Sequence, residues 1–147
     1  MKALIQRVDY ASVTVDGELI ARIGEGLLVL LGIEKSDMES QIERMAKRLL
    51  GYRVFEDEAG KMNLSVADKG GELLIVSQFT LVADTNKGMR PSFSCAAQPD
   101  HAKDYYERLV RCCGQLYDES KIATGRFAAD MKIELLNNGP VSFNLNV

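Results

Sequence analysis

One stretch constrains the fold more than any other: Leu73 to Leu81 reads LLIVSQFTL and passes from unbroken apolar to polar in mid-strand. Four apolar residues in succession, Leu73 to Val76, suit a strand covered on both faces. Ser77, Gln78 and Thr80 then set two hydroxyls and an amide where that cover ends. Two readings fit these residues alone. The strand runs out into a polar loop, as most strands do, or it holds polar groups rigidly at the mouth of a pocket.

The rest of the chain supplies the partners such a strand needs. Residues 2 to 15 are β-rich, and near their end Val13 and Val15 alternate with Ser12 and Thr14. Asp16-Gly17 tolerates the positive φ of a two-residue hairpin, so Glu18 to Ile23 returns as a second strand. Leu27 to Leu31, bounded by glycines, reads as a central strand. Ser36 with Glu39 has the spacing of a capping box, and Met38, Ile42, Met45, Leu49 and Leu50 follow at helical period up to the stop at Gly51. Tyr52 to Phe55 reads as a short strand, Glu56 to Gly60 as a turn, and Lys61 to Val66 fits either class.

Residues 83 to 97 show no period, and a loop of that length inside a compact domain is uncommon without a task. Pro99 suits the first position of a second helix, whose stripe is Ala102, Tyr105, Tyr106, Leu109, Val110, Cys113 and Leu116. His101 falls in its first turn, expected to be exposed. From Ile122 the chain reads as strand again: Phe127 to Leu136, a turn at Asn137-Asn138-Gly139-Pro140, and a last strand with strict alternation of Val141, Phe143, Leu145 and Val147. About eight strands and two main helices in mixed order predict a single α+β domain over residues 1–147, with a curled or barrel-like, largely antiparallel sheet.

Composition narrows the chemistry. With 147 residues, 46% of them apolar, the chain can bury a core without staples. No window is apolar enough for a membrane span, and Lys2, Arg7 and Asp9 interrupt any secretory signal, so a cytoplasmic, membrane-free protein is expected. A net charge of −3 gives no overall field for coating DNA or RNA. Any polyanion has to be gripped by a few residues, and Lys87 and Arg90 flank Gly88 in a suitable loop; solvated loop charge is the plainer reading of both. Three cysteines, two of them adjacent, make no disulfide framework or zinc pattern, and neither a metal nor another cofactor is expected. Ser77 has no nearby histidine in the sequence and no G-x-S-x-G elbow; P-loop and dinucleotide fingerprints are missing too. An enzyme with this sequence has to work by positioning and backbone hydrogen bonds.

Four strings, SQFTL at Ser77 to Leu81, KGMRPSF at Lys87 to Phe93, TGRFAADM at Thr124 to Met131 and NNGPVSF at Asn137 to Phe143, occur in order. Together they resemble the D-aminoacyl-tRNA deacylases of the bacterial and eukaryotic type, over the whole chain. The one departure is Ser142, where many members carry threonine; the hydroxyl is kept. The resemblance implies a homodimer that hydrolyses the ester joining a D-amino acid, or mischarged glycine on tRNA(Ala), to the end of tRNA. It implies that Ser77, Gln78, Phe79 and Thr80 line the catalytic pocket. Gly139-Pro140, as a cis peptide, would enter the partner subunit's pocket and reject L-residues by shape. Amides near Phe79 and Thr80 would form an oxyanion site, Thr80 would position substrate, and a ribose hydroxyl of the tRNA would help activate water. Met131, Lys87 and Arg90 are the expected pocket or tRNA contacts. Two rivals stand beside this: a non-catalytic module binding an RNA end or an amino acid, and a covalent hydrolase using Ser77 or Thr80.

Overall fold

The computed structural model describes residues 1–147. In chain order the elements are β1 (Lys2–Val15), β2 (Glu18–Ile23), β3 (Gly26–Gly32), α1 (Ser40–Gly51), β4 (Phe55–Glu56), β5 (Met62–Leu64), β6 (Glu72–Ser77), α2 (Pro99–Leu116), β7 (Ile122–Thr124) and β8 (Lys132–Asn146). Short 3-10 turns cover Phe79–Val82 and Glu119–Lys121.

The sheet is built on β1, which is long enough to serve three neighbours. Its first half pairs with β3 and its second half with β2 on the same edge, while β8 runs antiparallel along the other edge. β3 then pairs in parallel with β6, and β6 in parallel with β7. The result is a curled, nearly closed mixed sheet with two helices. The β1–β2 hairpin turns at Asp16 and Gly17, both with positive φ, as a right-twisted two-residue connection requires.

β6 is covered on both faces, and each face feeds a different core. Leu73 and Ile75 join Ile5, Leu27, Met45, Leu49 and Leu109 between the sheet and the two helices. Leu74 and Val76 join Val8, Val13, Ile23 and Leu28 inside the curl. Full burial of each such side chain contributes about 1.5–3 kcal/mol. The parallel pairing brings the backbones of Gly26 and Glu72 so close that a Cβ on residue 26 would lie 1.9 Å from the Glu72 carbonyl oxygen.

Several expectations are corrected. The capping box does not form: Ser36 lies in a turn, and α1 begins four residues later, at Ser40. The reason is tertiary. Asp37 is buried, where it accepts from the chain's own amino group and from the Glu34 amide at 2.8 Å, and Glu39 instead pairs with Arg108 of α2. Met38 is consequently 65% exposed rather than part of the buried stripe. Leu116 is likewise exposed at the end of α2. The short strand lies at Phe55–Glu56, paired with Met62–Leu64, rather than over Tyr52 to Phe55. Strand β6 stops at Ser77, so Phe79 and Thr80 belong to a 3-10 turn.

The largest correction is at the C-terminus. Residues 127–131 form a loop, and Asn137 to Pro140 is no hairpin turn, because both flanking segments pair with the same strand β1 in the same direction. Ser142 sits opposite Gln6, and Asn137 sits opposite Val8. Four residues of β8 therefore loop out across from one residue of β1, a bulge rather than a reversal.

Gly26→Ala is expected to lower the unfolding free energy by about 3 kcal/mol, since the added carbon meets backbone rather than a mobile side chain. Thermal denaturation should show Tm reduced by roughly 10 °C.

Candidate active site

The end of β6 opens into a cleft of about 550 Å³. Its floor comes from Leu31 and Ile33 of the β3 region and from Val76; one wall is Ser77, Gln78 and Phe79. Pro99 and Ala102 of α2 face the loop residues Phe127 to Met131 across it. The lining is mostly apolar, with a few polar groups at the strand end, as expected for a small-molecule site.

The β6 end is held by main-chain bonds. The Gln78 amide donates to the Leu31 carbonyl at 2.7 Å, which anchors the strand end to β3, and the Leu81 amide donates back to the Gln78 carbonyl at 3.3 Å to close the turn. Phe79 and Thr80 are the first residues of that turn, so their amides have no partner within it. The Thr80 hydroxyl donates to Gln78 Oε1 at 2.8 Å. Phe79 is 61% exposed and packs on Phe93, ring centroids 5.0 Å apart.

Of the residues singled out from sequence, Ser77, Gln78, Phe79 and Met131 line the cleft. Thr80 stands on the same turn, exposed, and is not part of the lining. Lys87 and Arg90 are exposed in the loop beyond Ala83 and do not reach the lining either. His101 departs from expectation: it is half-buried against Tyr105, centroids 4.2 Å apart, with Nε2 enclosed and unpartnered. The i, i+4 spacing turns its ring along the helix, and it does not line the cleft. Burial pushes the Cys113 thiol up to about 12, so that cysteine stays protonated and is no nucleophile.

Gly139-Pro140 has a cis peptide bond. It lies on the β8 bulge and takes no part in the lining of this chain's own cleft. The sheet register explains why. Ser77 is level with Leu31 and thus with Ala3, whereas the bulge lies at Arg7, three strand spacings across and four residues along, roughly 20 Å over the sheet.

The bulge is braced from beneath by Arg7, a residue that sequence reasoning did not single out. Arg7 is only 8% exposed. Its Nε donates to the Asn138 carbonyl at 3.0 Å, and Nη1 donates to the Val54 carbonyl at 2.7 Å. Asn137 Oδ1 accepts from the Val141 amide at 2.9 Å, and Asn138 Nδ2 donates to Asp9 Oδ1 at 2.5 Å. Gly139 has φ +137°, and a Cβ there would sit 2.5 Å from Val141 Cγ2, so glycine is required. A signal for Arg7 did exist: it falls in phase with the buried Ala3 and Ile5, a charge where alternation demands an apolar side chain.

The cleft thus sets fixed main-chain groups beside a mostly apolar lining that holds neither a histidine nor a cysteine. Comparison with known proteins identifies the family. The family model described as D-Tyr-tRNA(Tyr) deacylase matches residues 4–146. The D-aminoacyl-tRNA deacylase of Photobacterium profundum is 58% identical over 147 residues, and both chains are covered completely. That of Shigella dysenteriae serotype 1 is 59% identical over 148 residues, again covering both chains. Among solved structures, the c-Myc DNA unwinding element binding protein superposes with TM-score 0.96 at 43% identity, covering 100% of this chain and 99% of its own. A probable eukaryotic D-amino acid tRNA deacylase shares the fold, with TM-score 0.83 at 17% identity over 98% of both chains. The chain belongs to the D-Tyr-tRNA(Tyr) deacylase family.

Replacing Arg7 by methionine keeps most of the volume but strands two carbonyls, Val54 and Asn138. Each unsatisfied acceptor costs about 1–3 kcal/mol, so a loss of about 3 kcal/mol is expected in urea denaturation.

Proposed function

We propose that this protein is a D-aminoacyl-tRNA deacylase that hydrolyses the ester between a D-amino acid, or glycine mischarged on tRNA(Ala), and the terminal adenosine of tRNA in the cytoplasm. The observation that carries this reading is the cleft at the β6 end, lined by Ser77, Gln78, Phe79 and Met131, in a chain 58% identical to a named deacylase over its full length. An aminoacyl ester with a free ammonium group is already activated, so orientation and a pair of backbone donors suffice to accelerate its hydrolysis. The amides of Phe79 and Thr80 supply such donors. The carbonyl oxygen gains charge as water adds, and amides fixed at the open end of the turn stabilise that charge without reorganising. A ribose hydroxyl of the tRNA itself assists the attacking water.

Thr80 positions rather than attacks. Its hydroxyl donates to Gln78 Oε1, a neutral amide oxygen that cannot act as a general base. Thr80→Ser is therefore expected to stay within about tenfold of the parent rate, and Thr80→Ala to lose roughly 10- to 100-fold, both read in single-turnover deacylation. Complete loss in the serine variant, or a trapped acyl-enzyme, would establish covalent chemistry instead.

The site is completed by a second copy. β8 pairs on one edge only, and Leu136 and Phe143 on it are 49% and 37% exposed, a surface that a monomer would leave open. Gly139 and Pro140 take no part in lining their own cleft, which leaves them to the neighbour's. There the fixed main chain of the bulge meets the α-carbon of the ester: a D side chain points to open space and an L side chain collides. Arg7 and the two asparagines hold this wall still, and exclusion by shape depends on rigidity more than on affinity. Lys87 and Arg90, exposed beyond the cleft, meet the tRNA further from the ester.

The name of the 43% identical solved structure speaks of DNA binding by that protein. A net charge of −3 gives this chain no overall field for holding duplex DNA. The deciding measurement is paired hydrolysis of D- and L-tyrosyl-tRNA. Release of D-tyrosine with L-tyrosyl-tRNA spared by at least about 100-fold, some 2.7 kcal/mol of discrimination, is expected. Tight binding without release would make the protein a non-catalytic module, and equal cleavage of both would remove the gate.

A further inference from the structure

Beside the cleft, between α2 and the segment that follows β7, lies a second cavity of about 360 Å³, lined on α2 by Lys103, Tyr106, Glu107 and Val110 and on the facing segment by Thr124 to Phe127. The two cavities share Phe127, whose ring rests against Tyr106 with centroids 5.8 Å apart. They also divide α2 in order: Pro99 and Ala102 face the first, and Lys103, Tyr106 and Glu107 face the second. The first is mostly apolar. The second carries two cations.

We infer that this second cavity is a phosphate subsite, in which Lys103 and Arg126 hold the backbone phosphates next to the terminal nucleoside of the RNA while its ester lies in the first cavity. The inference rests on the deacylase reading above and adds the place where the polyanion is gripped. Arg126 is exposed, and no carboxylate lies within ion-pair distance of it. Lys103 faces Glu107 at a loose 3.8 Å, a contact between exposed groups that contributes little and yields readily to a phosphate. Glu107 is the single acid in the lining, so the cavity has a net positive charge within a chain whose overall charge is −3. Two cations on facing elements fix a point on the phosphate backbone, and that sets how far the terminal adenosine reaches into the cleft. Local pairing of this kind is what a protein without a broad basic field requires.

The experiment compares two esters, D-tyrosyl-tRNA and D-tyrosyl-adenosine, which has the same ester and nucleoside but no phosphate. For Lys103→Ala/Arg126→Ala, the ratio of kcat/KM on the tRNA ester to that on the nucleoside ester is expected to fall by at least about tenfold. The salt dependence changes with it. Each phosphate contact on a single strand contributes about 0.7 to the slope of log affinity against log salt, so losing two flattens it by about 1.4. Raising salt fourfold then costs the parent protein about sevenfold more than the variant. Lys103→Arg/Arg126→Lys, which keeps both charges, is expected to retain the parent slope. An unchanged slope in the alanine variant, or an equal loss on both esters, overturns the subsite while leaving the deacylase intact. A parent protein that cleaves neither ester overturns the deacylase reading and the subsite with it.

Discussion

The structure depends on β1 being shared. Fourteen residues of one strand pair with β3, then with β2, on one edge, and with β8 along the other. A strand committed to three partners has to twist between them, and that twist rolls the sheet towards closure. The curl splits the interior in two, one core beneath the helices and one inside the roll, and β6 is the strand that serves both. Its polar end at Ser77 and Gln78 emerges where both cores stop. The cleft is the consequence of that ending.

The same strand carries the element proposed to complete the site. Where β1 places Arg7 among its buried positions, the antiparallel partner cannot keep its register, and β8 bulges by four residues. The guanidinium then fills the space under the bulge and donates to its carbonyls and to Val54. A charge buried with carbonyl partners is stable only while every donor is matched. The bulge and the arginine therefore hold each other, and a rigid projection results at a point of the surface far from the cleft. Rigidity at one end of the sheet and a fixed strand end at the other are what the proposed two-copy site would need.

Much of this is legible in the residues themselves. LLIVSQFTL describes a strand covered on both faces with a polar terminus, and Leu73 to Ser77 is that strand. Asp16-Gly17 specifies its hairpin through backbone freedom alone, and Pro99 opens α2 where a missing donor costs nothing. The failures have one cause. Ser36 and Glu39 have the spacing of a local cap, yet Asp37 is drawn to the chain's amino group and Glu39 to Arg108. Asn137 to Pro140 has the composition of a turn, yet pairing with β1 on both sides keeps the chain running straight on. In each case a contact more than thirty residues away outweighed a preference worth about 1 kcal/mol.

By itself the sequence determined most of the elements, the greater part of their buried faces, and the strings that place the chain among the D-Tyr-tRNA(Tyr) deacylases, because propensity, period and motif are properties of neighbouring residues. The tertiary structure alone decided that Ser77, Phe127 and Met131 meet around one cleft, that Lys103 and Arg126 line one cavity beside it, and that Arg7 sits beneath Asn138. Those juxtapositions come from the parallel crossover to β6 and from the register of β8 on β1. Both are set by how two cores fill together, a condition no short stretch of chain contains.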